Sequence, residues 1–341
     1  MRTVPIERTR GRVMLYDLEP TSATLRSEVV SGLRRTPKTL PCKFFYDERG
    51  AALFEEICRL EAYYQTRTET GILRANLTGI AAALGPGLRL VEPGSGSGEK
   101  TRMLLDSLVD PVAYVPVDIS RTQLVEYAIR VAGEYPELEV LPVCADYTRP
   151  LALPDPERQP RGTAVFFPGS TIGNFEPAEA GSFLRRLGAA CGPGGAILIG
   201  VDLKKDRARL ERAYNDPEGV TAAFNLNLLA RINAECGADF DLDAFAHRAV
   251  YNDRLGRIEM HLVSLRDQTV RIPGAEGGTP FTVSFRRAEF IDTEHSYKYA
   301  IPEFALLARS AGLRAERVWT DERRRFGVML LRVPAPAPAA L

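Results

Sequence analysis

The chain has 341 residues, 45% hydrophobic and 26% charged, a composition that excludes a disordered protein. Lysine plus arginine and aspartate plus glutamate each total 44, giving a formal net charge of zero. With no basic excess and no block of like charge, nucleic acid is excluded as an expected partner. Cys42, Cys58, Cys144, Cys191 and Cys236 are scattered, with no C-x-x-C pair and no histidine at ligand spacing, which predicts reduced thiols and no metal site. The opening MRTVPIERTRGRV lacks the apolar core of a signal peptide, and no run of about 18 apolar residues appears. A cytoplasmic protein without a membrane partner is the expectation.

In chain order, residues 1–84 read as helices and loops, with apolar residues at three-to-four spacing over 22–33, 51–60 and 69–84. From Leu88 the texture changes to short apolar, β-branched runs, each followed by a helical stretch: LRLVEPG, AYVPVDIS, LEVLPVCAD, TAVFFPGS and AILIGVDL. That alternation predicts an α/β fold with a doubly wound parallel sheet. After Asp202 it stops. Residues 205–235 look helical, 257–272 alternate like one half-buried strand, and FTVSF at 281–285 is another strand candidate. A stretch of that length is too long for a loop and predicts a smaller second lobe. Residues 302–313 then read as a helix and 314–333 as a closing hairpin, which would add an antiparallel strand near the sheet edge. The Pro/Ala-rich tail 334–341 is expected to be disordered.

The sharpest local signal is Glu92-Pro93-Gly94-Ser95-Gly96-Ser97-Gly98-Glu99-Lys100-Thr101, where the first parallel strand gives way to a helix. Glycines there let the backbone approach a ligand closely. A dinucleotide loop, G-x-G-x-x-G, would need a glycine at Glu99, and a P-loop needs one at the same place before Lys100. In either case a phosphate would meet a carboxylate. The ligand that suits G-x-G-x-G presents an amino-acid end instead, as S-adenosylmethionine (SAM) does, and Glu92 or a nearby carbonyl could meet its cation. Asp118 ends the second parallel strand, where a carboxylate can accept both ribose hydroxyls, and Asp146 ends the third, where one can accept from an adenine amino group. Either could instead cap a following helix.

Several strings resemble one family. KFFYD at 43–47, YYQTRTE at 63–69, the loop Gly94–Lys100, GSTIGNF at 169–175, GVTAAFN at 219–225 and TEHSYKY at 293–299 are all similar to the L-histidine Nα-methyltransferases of ergothioneine biosynthesis. The resemblance runs from about residue 25 to 333. It implies a class I SAM-dependent methyltransferase fold with a smaller α+β substrate lobe, and three methyl transfers from SAM to the α-nitrogen of free L-histidine, giving hercynine. It implies that Tyr46, Gly94, Gly96, Lys100, Asp118, Asp146 and Tyr147 hold SAM. For the acceptor it points to Tyr64, Gly169, Asn174, Tyr214, Met260, Glu294 and Ser296, with Asn174 and Tyr214 on the carboxylate and Glu294 and Ser296 on the imidazole. Tyr64 and Asn174 are the expected catalytic pair, Tyr64 or a water it holds taking the proton. His295 departs from the family pattern. The expected organisation is an N-terminal helical segment (1–60) packing with the substrate lobe, a SAM-binding core (61–203), an inserted substrate lobe (204–300) and a C-terminal helix with closing strands (301–333), acting as a monomer.

The chemistry of these residues agrees. An amide and a phenol can each donate to a carboxylate. Glu294 and Ser296 are two apart, so on an extended strand they share a side while His295 points away. A carboxylate beside a hydroxyl suits an imidazole, which carries one N–H donor and one acceptor nitrogen. Two other readings remain open: the same scaffold methylating another amino acid such as tryptophan or tyrosine, and a SAM-binding protein without turnover.

Overall fold

The computed structural model describes residues 2–6, 13–18, 25–94, 96, 98–274 and 278–335. Residues 22–24 of the first expected helix and 336–341 of the expected tail lie outside them. Within them the chain runs through β1 (Arg2–Ile6), β2 (Val13–Asp17), α1 (Leu25–Leu33), β3 (Lys38–Thr39), α2 (Glu48–Arg59) and α3 (Tyr64–Leu84). An alternating series follows: β4 (Leu88–Pro93), α4 (Glu99–Leu105), β5 (Ala113–Asp118), α5 (Arg121–Glu134), β6 (Glu139–Val140), β7 (Val143–Cys144), β8 (Gly162–Phe167), α6 (Pro177–Cys191) and β9 (Ala196–Asp202). Then come α7 (Arg207–Tyr214), α8 (Val220–Cys236), β10 (Phe245–Asn252), β11 (Arg257–Ser264), β12 (Gln268–Ile272), β13 (Phe281–Phe285) and β14 (Phe290–Tyr297). The described chain closes with α9 (Ile301–Ser310), β15 (Arg314–Thr320) and β16 (Phe326–Arg332).

Contacts divide the chain into two compact units. The first takes residues 1–21, 68–203 and 299–341 and the second takes 22–67 and 204–298.

The first unit is built on one sheet in the order β1-β2-β7-β5-β4-β8-β9-β16-β15, with β6 paired to β5. From β2 through β9 the neighbours run parallel, while β16 is antiparallel to β9 and β15 to β16. The central strands are mostly apolar because both faces are covered: every residue of AILIGVD in β9 is buried. Leu90, Tyr114, Phe166 and Leu198 from the sheet pack with Leu73 and Ile80 of α3 and with Leu104 and Val131.

The N-terminal strands β1 and β2 correct the expectation of helices and loops over residues 1–84. In VMLYD, Val13 and Leu15 are buried while Met14 and Tyr16 are half-buried, a two-residue period that lays β2 beside β7 and β1 against β2. Five residues are too few for helical spacing to compete with strand alternation.

The second unit carries a sheet in the order β10-β11-β14-β3 and a hairpin of β12 with β13. Its core joins Val29 and Leu33 of α1, Ile57 of α2 and Phe224, Leu228 and Ile232 of α8 to Ile258, Met260 and Leu262 of β11. The expected single strand over 257–272 is in fact two, since the chain turns after Ser264, whose hydroxyl donates to the Arg266 carbonyl at 2.7 Å.

Candidate active site

Gly94, Gly96, Lys100, Asp118, Asp146, Tyr147, Gly169 and Asn174 lie in the first unit, and Tyr46, Tyr64, Tyr214, Met260, Glu294 and Ser296 in the second.

In the first unit the glycine loop leaves β4 with Gly94 at φ +73° and Gly96 at +49°, and reaches α4 through Gly98 at +72°. Gly98 is required twice over: its φ is left-handed, and a Cβ there would stand 2.4 Å from the Tyr127 ring. Beneath the loop, Glu92 is buried and already occupied. Thr101 Oγ1 donates to its Oε1 at 2.6 Å and the Tyr114 hydroxyl donates to its Oε2, so the carboxylate ties the start of α4 to β5. Burial pushes its carboxyl from 4.5 up to about 7 against those two hydrogen bonds and the nearby Lys100.

Asp118 stands at the carboxyl end of β5, with its Oδ1 accepting from Ser120 N at 2.8 Å. Burial raises its pKa, opposed by backbone N–H donors from Ser120 and Ile119. The Asp146 Oδ1 accepts from Thr148 N at 2.9 Å and Thr148 Oγ1 at 2.6 Å, and Arg149 approaches to 3.6 Å. Tyr147 packs edge-on to Phe167 at 6.2 Å, and its ring edge lies 3.7 Å from where a Gly94 Cβ would be.

Gly169, at φ +81°, and Ser170, at +58°, open the turn after β8, and Asn174 ends its 3-10 segment. The N-cap of α6 is Glu176, whose backbone N–H donates to Glu179 Oε2 at 3.2 Å. Asn174 ends the turn two residues before that cap.

This donor set fits SAM. Left-handed glycines open the backbone, nothing stands within 4 Å of a Gly96 Cβ position, the Lys100 ammonium is on the first turn of α4, and two short carboxylates follow the next strands. Those groups match a carboxylate, a ribose diol and an adenine amine, whereas Glu99 opening α4 opposes a phosphate.

In the second unit, Glu294 and Ser296 do fall on one side of extended β14, and Met260 and Ile258 are their partners on β11. His295, on the other side, bonds Asp292 at 2.5 Å. The register next to Glu294 is held by Thr293, whose hydroxyl lies 2.9 Å from the Met260 carbonyl and 2.8 Å from Asn225 Oδ1. Asn225, from the GVTAAFN string, is thus a strand lock, and Asp216 accepts from Val220 N and Thr221 N to fix the start of α8.

Lys298 was not singled out in the sequence. It is 2% exposed, and its ammonium donates to Ser296 Oγ at 2.7 Å and Tyr214 Oη at 2.9 Å, while Tyr214 Oη donates to Ser296 Oγ at 2.9 Å. Ser296 accepts twice, so its own hydrogen is left to donate. Tyr214 spends its O–H on Ser296, and binding a carboxylate there requires that hydrogen to turn. Burial pushes the Glu294 carboxyl from 4.5 up to about 7, with Lys298 and His295 pulling the other way. Tyr64 is buried and its Oη accepts from Lys205 Nζ at 2.7 Å. Tyr46 is 44% exposed and packs edge-on to Phe54 and Phe224 at 5.5 and 5.8 Å.

A doubly wound sheet with a glycine loop after its central strand, carboxylates at the next strand ends and an antiparallel closing strand is the architecture of a class I SAM-dependent methyltransferase. Residues 25–333 match the model of the SAM-dependent histidine-specific methyltransferases, and the chain belongs to that family. It is 45% identical over 311 residues to a histidine N-alpha-methyltransferase of Mycobacterium tuberculosis, covering 90% of this chain and 94% of the relative. It is 32% identical over 316 residues to ergothioneine biosynthesis protein 1 of Neurospora crassa, covering 90% of this chain and 35% of that protein. An L-tryptophan methyltransferase of Psilocybe serbica is 27% identical over 337 residues, with 90% and 92% covered. No described helix is long and apolar enough to cross a membrane.

Proposed function

We propose that this chain transfers three methyl groups in succession from SAM to the α-nitrogen of L-histidine, giving hercynine for ergothioneine biosynthesis. The observation that carries the choice of acceptor is the paired face of β14: a donor at Ser296 beside a carboxylate at Glu294. Those are the complements of a neutral imidazole, and an aliphatic or phenyl side chain would leave both unpaired.

SAM supplies an electrophilic methyl group on its sulfonium. Asp118 accepts from the ribose hydroxyls, Asp146 and Tyr147 border the adenine, and Lys100 pairs with the methionyl carboxylate. In the second unit Tyr214 is the donor assigned to the histidine carboxylate and Met260 an apolar wall; in the first, Asn174 is an amide donor and Gly169 a point of close backbone approach. Tyr64, held by Lys205, orients the α-amine and passes its proton to water. For each transfer one N–C bond forms, one S–C bond breaks and one proton leaves nitrogen, so three protons depart over the sequence. The amine must be neutral when it attacks, and alignment supplies most of the rate.

Mass spectrometry after incubation with histidine and excess SAM tests this. The expected end point is histidine bearing three methyl groups on the α-nitrogen; accumulation of the monomethyl or dimethyl amine, or methylation of the imidazole, contradicts it.

A further inference from the structure

One buried carboxylate in the first unit ties together two of the loops considered above. Glu69, near the start of α3, is 1% exposed; it pairs with the Lys100 ammonium and accepts from the Gly169 amide at 3.0 and 2.8 Å through its two oxygens. Lys100 follows the glycine loop, and Gly169 begins the turn that ends at Asn174.

Gly200, inside β9, lies against the same group. A Cβ at Gly200 would stand 2.0 Å from Glu69 Oε1 and 3.2 Å from the Gly169 nitrogen. The backbone there is not left-handed, so conformation does not require glycine. Its neighbours Ile199 and Val201 are the residues a buried strand favours, and a glycine among them marks a close approach. What approaches is the Glu69 carboxylate.

We infer that Glu69, seated against Gly200, is a positioning residue for the cofactor pocket: it holds the Lys100 ammonium and the Gly169 amide in fixed relation, so that the glycine loop and the Asn174 turn are set by one group. The inference rests on reading this unit as the SAM site. Lysine is a flexible four-carbon chain with three rotatable donors, and directing one donor to a buried carboxylate restricts where the others point. Breaking a buried pair leaves its partner uncompensated, and Lys100 then turns toward water.

The test measures S-adenosylhomocysteine (SAH) binding by calorimetry and steady-state rates for Glu69→Gln, Gly200→Ala, Glu69→Ala and the Glu69→Ala/Gly200→Ala double variant. Glu69→Gln keeps the shape and removes the charge, and it should raise the SAH dissociation constant and the KM for SAM about tenfold, with kcat changed much less. Gly200→Ala alters no charge yet should act in the same way, because its Cβ displaces the carboxylate. In the Glu69→Ala background that displacement has no object, so Gly200→Ala should add less than about twofold.

A fall in kcat with unchanged KM and SAH affinity signals mere loss of folded enzyme and overturns the inference, as do additive effects of the two alanines. If Glu69→Ala does not fold, Glu69→Gln and Gly200→Ala decide alone, and both must weaken SAH. Failure of the unaltered chain to bind SAH would instead sink the methyltransferase reading, and the inference with it.

Discussion

Asp118 in the first unit and Glu294 in the second are both carboxylates whose surroundings raise their pKa, but the opposing forces differ. For Asp118 they are backbone N–H groups of Ser120 and Ile119, fixed by the turn after β5. For Glu294 they are the charges of Lys298 and His295, and its carboxyl sits at about 7. Backbone donors oppose that rise at Asp118 through fixed dipoles. Glu294 is poised to change charge near neutrality, where an imidazole also does. The cofactor side is thus set by strand ends and turns, and the acceptor side by a network of side chains on one strand face.

The largest effect should come from removing the second device. Glu294→Ala should lower kcat/KM for histidine relative to phenylalanine and leucine by as much as roughly 10⁴, because a buried acceptor is what penalises substrates lacking an N–H. SAH affinity should stay nearly constant, and equal preference before and after the change would place the imidazole contact elsewhere. The same group sets a pH dependence. In the unaltered chain kcat/KM for histidine should rise with pH through about 7 as Glu294 ionises, with a further rise as the α-amine loses its proton. Glu294→Gln should remove the first limb and keep the second, and two unchanged limbs would separate the profile from Glu294.

Next in size, Asp118→Ala should weaken SAH by about 1.5–3 kcal/mol, the scale of hydrogen bonds to a charged group. Relative preference among amino acids should not move. A calorimetric constant equal to that of the unaltered chain would remove Asp118 from the ribose.

The smallest effect belongs to Glu92, which holds Thr101 and Tyr114 beneath the glycine loop. Its folded pKa is raised from 4.5 to about 7, so between those values the folded state keeps a proton that the unfolded chain has released. Stability therefore falls as pH rises through that window. Glu92→Gln should reduce the loss by about 1–2 kcal/mol, read from denaturant melts at pH 5 and pH 7.5. An identical pH slope in both proteins would assign it to other groups.

The parallel strands and the glycine loop were legible because their signals are local: apolar β-branched runs between helices, and glycines where a strand ends. The family strings carried the candidate residues in the same local way. Strands β1 and β2 were missed because a five-residue alternation is short beside the helical spacing around it, and the break at Ser264 because apolar residues continue on both sides of the turn. The partners of Glu69 and Lys298 were not legible at all. Glu69 meets Gly169 from 100 positions away, and Lys298 meets Tyr214 from 84 away. Such pairings exist only once the sheet has formed. The available signal was weaker: Glu69 and Lys298 are charged residues within the YYQTRTE and TEHSYKY strings that had been given no task.

The most direct measurement is a competition. The protein is given SAM and an equimolar pool of the twenty amino acids, and the products are resolved by mass spectrometry over time. Histidine should be consumed ahead of every other acceptor and end as its Nα-trimethyl derivative, with three SAH formed per histidine. Faster methylation of tryptophan, tyrosine or any other amino acid would contradict the account, whatever the affinity for SAM.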